Sequence, residues 1–193
     1  MIKKKFASLK KSSLPGPEDV LRQELDNGIT VLIRPNPNSM TVALVGYLPA
    51  GSLYEPEDKL GLANYTAEAL MRGTKSQPFE EIYETLESMG ASLGFSGGTH
   101  TAGFAGKSLA NDLDSLLAIL ADTLQNPVFP AADLERLRSQ YLIGLDLRSQ
   151  DTSEMASLGF DQIVFANHPY RHPNDGYPET IAAITRDDLI QFH

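Results

Sequence analysis

Two imidazoles four residues apart, His168 and His172, with Asp175 three residues further on, are side chains of the types that ligate transition metals. Pro169 and Pro173 break the regular helix that would set both rings on one face. The segment therefore reads either as a loop packed by Tyr170 and Tyr177 or as a displaced metal site. His100 stands alone in an expected strand and reads as a surface or satisfied polar group. Gly94, Gly97, Gly98, Gly103 and Gly106 form the densest glycine cluster, but Gly106-Lys107-Ser108 lacks the spaced glycine of a phosphate-cradling loop. The competing reading of the cluster is a strand pair whose missing side chains let another backbone approach, as when a peptide adds to a sheet edge. Gly94-Phe95-Ser96-Gly97-Gly98 misses the spacing of a serine nucleophile elbow. The pairs Glu80-Glu81 and Asp187-Asp188 sit at helix starts, where the macrodipole accounts for them. A chain with no cysteine has no disulfide, thiolate metal site or catalytic thiol, and is indifferent to the redox state of its compartment.

The elements that must position these groups begin after Pro15-Gly16-Pro17, which separates an expected flexible basic tail, 1–17, from a folded region, 18–193. Residues 21–26 and 29–34 read as strands joined by Asn27-Gly28, a pair suited to a type I′ turn. A third strand is expected at 41–48. A helix over 61–72 ends at Gly73, and Phe79, Ile82, Tyr83, Leu86 and Met89 line one face of a second, closed by Gly90. Short strands are expected at 91–95 and 99–105. Helices follow at 109–124, 131–149, 153–166 from a capping Ser153, and from Thr185, with Asp188 at the capping-box position. Strands first and helices after them give an α+β class, an antiparallel-rich mixed sheet covered on one face by helices. The last helix has run two turns at His193, so the domain is expected to continue.

The 193 residues can bury roughly 70% of the surface of the unfolded chain, enough for one substantial core. Net charge is -9, but five lysines stand among residues 1–11 without an acid, leaving 11 basic against 25 acidic residues, or -14, from Ser12 onward. Such a surface repels phosphate backbones, which excludes nucleic acid as the expected partner. No stretch approaches the apolar length of a membrane-spanning helix, and the sequence leaves the compartment open between cytoplasm and export.

Gly61-Leu62-Ala63-Asn64-Tyr65-Thr66-Ala67-Glu68-Ala69-Leu70-Met71-Arg72-Gly73-Thr74 resembles the zinc-binding helix of the insulinase, pitrilysin and mitochondrial processing peptidase family, Gly-Leu-Ala-His-x-x-Glu-His-x-x-x-x-Gly-Thr. Leu25-Asp26-Asn27-Gly28-Ile29 is similar to the family's opening strand turn, and Gly51-Ser52 with Glu55 to the loop before its helix. His168-Pro169-Tyr170, Gly176 and Ile184-Thr185 are similar to its later landmarks. In the family's inverted motif two histidines one helical turn apart grip zinc while the glutamate between them polarises the bound water.

At those positions this chain carries Asn64, Ala67 and Glu68. The family's third ligand, a glutamate on a later helix, aligns with Leu145 to within a residue or two. The resemblance thus implies a register kept and a chemistry lost: no catalytic residues, no metal ligands and no cofactor, against zinc in active relatives. It also implies the first of two homologous domains of a non-catalytic subunit that works beside a zinc-bearing homologous partner and helps to enclose a peptide substrate. The family's substrate strand falls at Leu93, Gly94, Phe95, Ser96 and Gly97. Two other readings stand beside this one: an assembly or scaffold protein without peptide binding, and a metallopeptidase with a displaced site around His168, His172 and Asp175.

Overall fold

The computed structural model describes residues 16–193, so the expected tail, 1–17, lies outside the described residues except for Gly16 and Pro17. The chain divides into two compact units, Met1–Met40 and Thr41–His193. The first holds an antiparallel hairpin, β1 (Leu21–Glu24) and β2 (Thr30–Ile33), with Leu21 opposite Ile33. Its turn is not the expected type I′. Gly28 alone takes positive φ, at 86°, while the Asn27 side chain accepts the Ile29 N–H at 3.2 Å. Gly28 N–H closes on Leu25 O at 2.9 Å, giving a three-residue loop that ends in a left-handed glycine.

The second unit is built on β3 (Thr41–Leu48), β4 (Ser92–Gly97) and β5 (Ala102–Leu109), ordered β3-β5-β4 and antiparallel throughout. The expected α+β architecture forms, with alternate residues Leu44, Leu93, Phe95 and Phe104 facing the helices. β5 starts and ends later than expected because all eight of its residues pair with β3, from Ala102 opposite Leu48 to Leu109 opposite Thr41. That pairing keeps Gly106–Leu109 extended, and the following helix starts at Leu113.

Against this sheet lie α1 (Leu62–Ala69), α2 (Phe79–Ser88) and α3 (Leu113–Gln125). The chain continues through α4 (Ala131–Gln150), α5 (Thr152–Val164), α6 (Pro178–Ala183) and α7 (Arg186–Phe192). One buried cluster joins Ile82, Leu86, Leu116, Ile119 and Leu120 to the sheet. The other joins Leu62, Tyr65 and Ala69 of α1 to Leu134, Leu137 and Leu145 of α4 and to Ile181, Ile184 and Leu189. Helix α1 is shared property of sheet and helices, and only Asn64 and Glu68 among its eight residues escape full burial. Helix α5 buries none of its residues and leaves Met155, Phe160, Ile163 and Val164 exposed. Its cap is Asp151 rather than Ser153: a carboxylate oxygen takes the N–H groups of Ser153 and Glu154 at 2.8 and 3.1 Å. The capping box at Thr185 and Asp188 forms as expected. No helix of the described residues is long and apolar enough to cross a membrane.

The start of α1 is held by two glycines back to back. Gly61 (φ 96°) and Gly176 (φ 68°) are both left-handed, and a Cβ on Gly176 would lie 2.1 Å from Leu60 O. Thr180 Oγ1 donates to the same carbonyl at 2.6 Å. Gly176→Ala should therefore cost about 3 kcal/mol or more in urea unfolding, through strain and collision together. Gly144→Ala, in α4 with open space around it, should stabilise by about 0.5–1 kcal/mol. Equal effects of the two would refute this account of the junction.

Candidate functional site

The loop before α1 supplies the helix with its cap. Glu55 Oε2 accepts the Gly61 N–H at 2.9 Å and Oε1 the Ala63 N–H at 2.6 Å, so one carboxyl group serves two otherwise orphaned donors. Burial is the larger influence on its charge: it raises the Glu55 pKa from 4.5 to about 7 against the two hydrogen bonds, which pull it down.

One turn into the helix, Asn64 Oδ1 accepts the Gly97 N–H of β4 at 2.7 Å. The backbones cross so closely that a Cβ on Gly97 would stand 2.5 Å from the Asn64 Cα, which only glycine permits. Ala67 is buried, with a methyl group where a general base would be needed. Glu68 Oε1 accepts the Tyr141 hydroxyl of α4 at 2.9 Å. Burial raises the Glu68 pKa, opposed by that hydrogen bond and by Arg72. Burial raises the Tyr141 phenol as well, and the neighbouring Glu68 carboxylate adds to it. The Tyr141 ring meets Tyr65 edge-on at 5.4 Å between centroids, and Tyr65 Oη donates to Leu134 O at 2.6 Å. Leu145 is 4% exposed within the core shared by α1 and α4.

Tyr141 escaped the sequence reading. It lies four residues before Leu145 on α4, so helical spacing alone places it on the face turned to α1. Three motif positions lie on α1 and the fourth, Leu145, in the core that α4 shares with that helix, and they offer one amide oxygen already engaged, one carboxylate, a methyl and an isobutyl group. Zinc takes three or four nitrogen, sulfur or carboxylate donors, and this set does not fit it.

Leu93, Gly94, Phe95, Ser96 and Gly97 lie on β4, which pairs only with β5 among the described residues and so forms an edge. Gly98 N–H donates across the turn to Thr101 O at 2.8 Å. By antiparallel alternation Ser96 and Gly94 then exchange bonds with β5, whereas Gly97, Phe95 and Leu93 turn their N–H and C=O groups outward. Ser96 and Gly94 contribute their exposed faces to a shallow concavity of about 300 Å³, shared with Val45, Tyr47, Gly103 and Ala105.

His168, His172 and Asp175 do not converge. His168 Nδ1 accepts the Tyr170 N–H at 3.2 Å, and Asp175 is salt-bridged to Arg148 at 2.6 Å. Arg171 Nε donates to His172 Nε2 at 2.8 Å, leaving the His172 Nδ1 proton for Tyr177 Oη at 3.1 Å. Burial, then the Arg171 charge, lowers the His172 pKa, in keeping with a neutral ring. His100 Nε2 meets Tyr170 Oη at 2.7 Å. No group of three His, Asp or Glu side chains is placed to hold a metal ion among the described residues, so the displaced site of the sequence reading is not assembled.

The sequence matches the family model described as Insulinase (Peptidase family M16) over residues 30–162. It is 32% identical over 174 residues to the mitochondrial cytochrome b-c1 complex subunit 1 of Bos taurus, covering 88% of this chain and 35% of that protein. It is 27% identical over 172 residues to the probable mitochondrial-processing peptidase subunit beta of Schizosaccharomyces pombe, covering 87% of this chain and 37% of that protein. A crystal structure of a peptidase M16 inactive domain from Pseudomonas fluorescens superimposes with a TM-score of 0.84 at 27% identity, over 91% of this chain and 43% of that one. The chain therefore spans well under half the length of the relatives it matches.

Glu55 makes the helix cap sensitive to pH. A carboxyl whose pKa is raised on folding from 4.5 to about 7 contributes stability that is complete below about 4.5 and lost as pH rises to about 7. The thermal midpoint should fall across that window, and Glu55→Gln, which keeps one acceptor and does not titrate, should flatten the fall. The same slope in both proteins would show that Glu55 is not responsible.

Proposed function

The chain belongs to the insulinase family of peptidases, M16, and from that membership we propose that it is a non-catalytic member, which binds extended peptide along β4 and helps a zinc-bearing homologous subunit to enclose it. The observation that carries the reading is the fate of the four motif positions. Asn64 pins β4, Glu68 takes the Tyr141 hydroxyl, Ala67 is packed and Leu145 belongs to the core. Hydrolysis needs a metal-bound water and a base beside it, and these side chains supply neither. What survives is the strand edge that such a reaction would use to align its substrate, with the outward groups of Leu93 and Phe95 free to pair.

The similarity to subunits of two mitochondrial assemblies supports a place beside a homologous chain. The likeness to a cytochrome b-c1 complex subunit equally favours a pure assembly role, in which β4 would pair with nothing transient. The acidic body suits basic segments in either case.

Mixed with a homologue that keeps His-x-x-Glu-His, this chain should raise cleavage of a quenched fluorescent peptide at least tenfold, while alone with added zinc it should cleave none. Equal cleavage by the zinc-bearing homologue without this chain would leave only the assembly reading standing.

A further inference from the structure

Two groups on the outer side of α1 remain uncommitted. The Gly97 N–H can be accepted only by the oxygen of the Asn64 amide, which orients the side chain and leaves Nδ2 with two protons and no acceptor among the described residues. Glu68 receives Tyr141 on Oε1, and its Oε2 has no donor among them. Neither atom is sealed in the interior, where the unpartnered polar atoms are Thr66 Oγ1 and Arg72 Nε.

Residues four apart on a helix are neighbours, about 5–6 Å between Cβ atoms. α1 thus presents a donor and an acceptor side by side. One residue of an extended chain shows its own N–H and C=O to the same side, the complementary pair. The position of the pair matters as much as its chemistry. Along β4 the outward groups of Leu93 and Phe95 are available, but at Gly97 the N–H is spent on Asn64. The Asn64 amide replaces that donor with its own and carries the ladder from the strand onto the helix.

We propose that Asn64 and Glu68 form a backbone-amide clamp at the end of the β4 edge, Nδ2 donating to the carbonyl and Oε2 accepting the N–H of one residue of an extended peptide. The inference rests on the reading of β4 as a peptide-binding edge. The clamp reads backbone rather than side chain, so it accepts every residue except proline at that point. It holds a peptide unit against groups that have no means of hydrolysing it.

The test uses a fluorescein-labelled, terminally blocked decapeptide of Thr, Val and Lys, and versions of it carrying one N-methyl group at each position in turn. Binding should slow amide exchange at Leu93 and Phe95. Asn64→Asp keeps an oxygen for Gly97 and loses the donor; Glu68→Gln keeps an oxygen for Tyr141 and loses the acceptor. Each should weaken binding about tenfold, with the Gly97 amide still slow to exchange in the first. With the unmutated chain, one N-methyl position should cost more than those paired with Leu93 and Phe95 cost on average. If the decapeptide gives no protection at Leu93 and Phe95, the edge reading fails and the clamp with it. If protection appears but both variants bind as tightly as the parent and no N-methyl position stands out, the clamp alone is overturned.

Discussion

A glycine crossing a helix governs this molecule. At Gly97 the strand comes so near to α1 that the helix backbone occupies the space of a side chain, and the Asn64 amide closes the gap with a hydrogen bond. The strand edge and the helix meet at that crossing. It uses the Gly97 N–H that the pairing with β5 turns outward, and it lies on the helix whose buried residues join the sheet core to the helical core, with Asn64 and Glu68 alone short of full burial. A helix buried on nearly all sides cannot turn or slide without opening one cluster or the other, which makes it a rigid platform.

The polar groups around α1 answer the cost of that burial. Glu55 and Glu68 lie in surroundings that disfavour their charge, and each is matched by donors: two backbone N–H groups for the first, a phenol for the second. Tyr65 and Tyr141 bring hydroxyl groups into the same region and satisfy them on a carbonyl and a carboxylate. The arrangement differs from a metal site in kind. Each of these carboxyl and hydroxyl groups is answered by its own donor or acceptor, instead of several converging on a point.

Periodicity and cap chemistry made much of this legible beforehand. The apolar spacing of Phe79 to Met89 gave α2, Thr185 and Asp188 gave α7, and the motif placed α1 with Asn64, Ala67 and Glu68 on it. Local rules failed where distant pairing decided the outcome. β5 is long because β3 is long, and nothing within 102–109 announces it. Helix α6 has six residues and depends on Thr180 and Ile181 reaching Leu60 and the core, contacts invisible to a window of sequence. Asp151 outcompeted Ser153 as a cap because a carboxylate two positions earlier in the chain reaches two N–H groups at once. Of the two readings of the histidine pair at 168 and 172, the loop packed by Tyr170 and Tyr177 is the one that forms, and Arg171 between the rings occupies a nitrogen that a metal would need.

Leu145 bears on what it would cost to build a zinc site on this scaffold. A glutamate there would enter a core of Leu137, Ile181 and their neighbours with no metal to meet it, while a histidine at 64 would release Gly97 and one at 68 would abandon Tyr141. Each single step toward a zinc site gives up a working contact, and the metal repays nothing until at least three have been taken. Building a zinc site here would therefore take several substitutions made together, because no single one of them brings a metal to offset the contact it breaks.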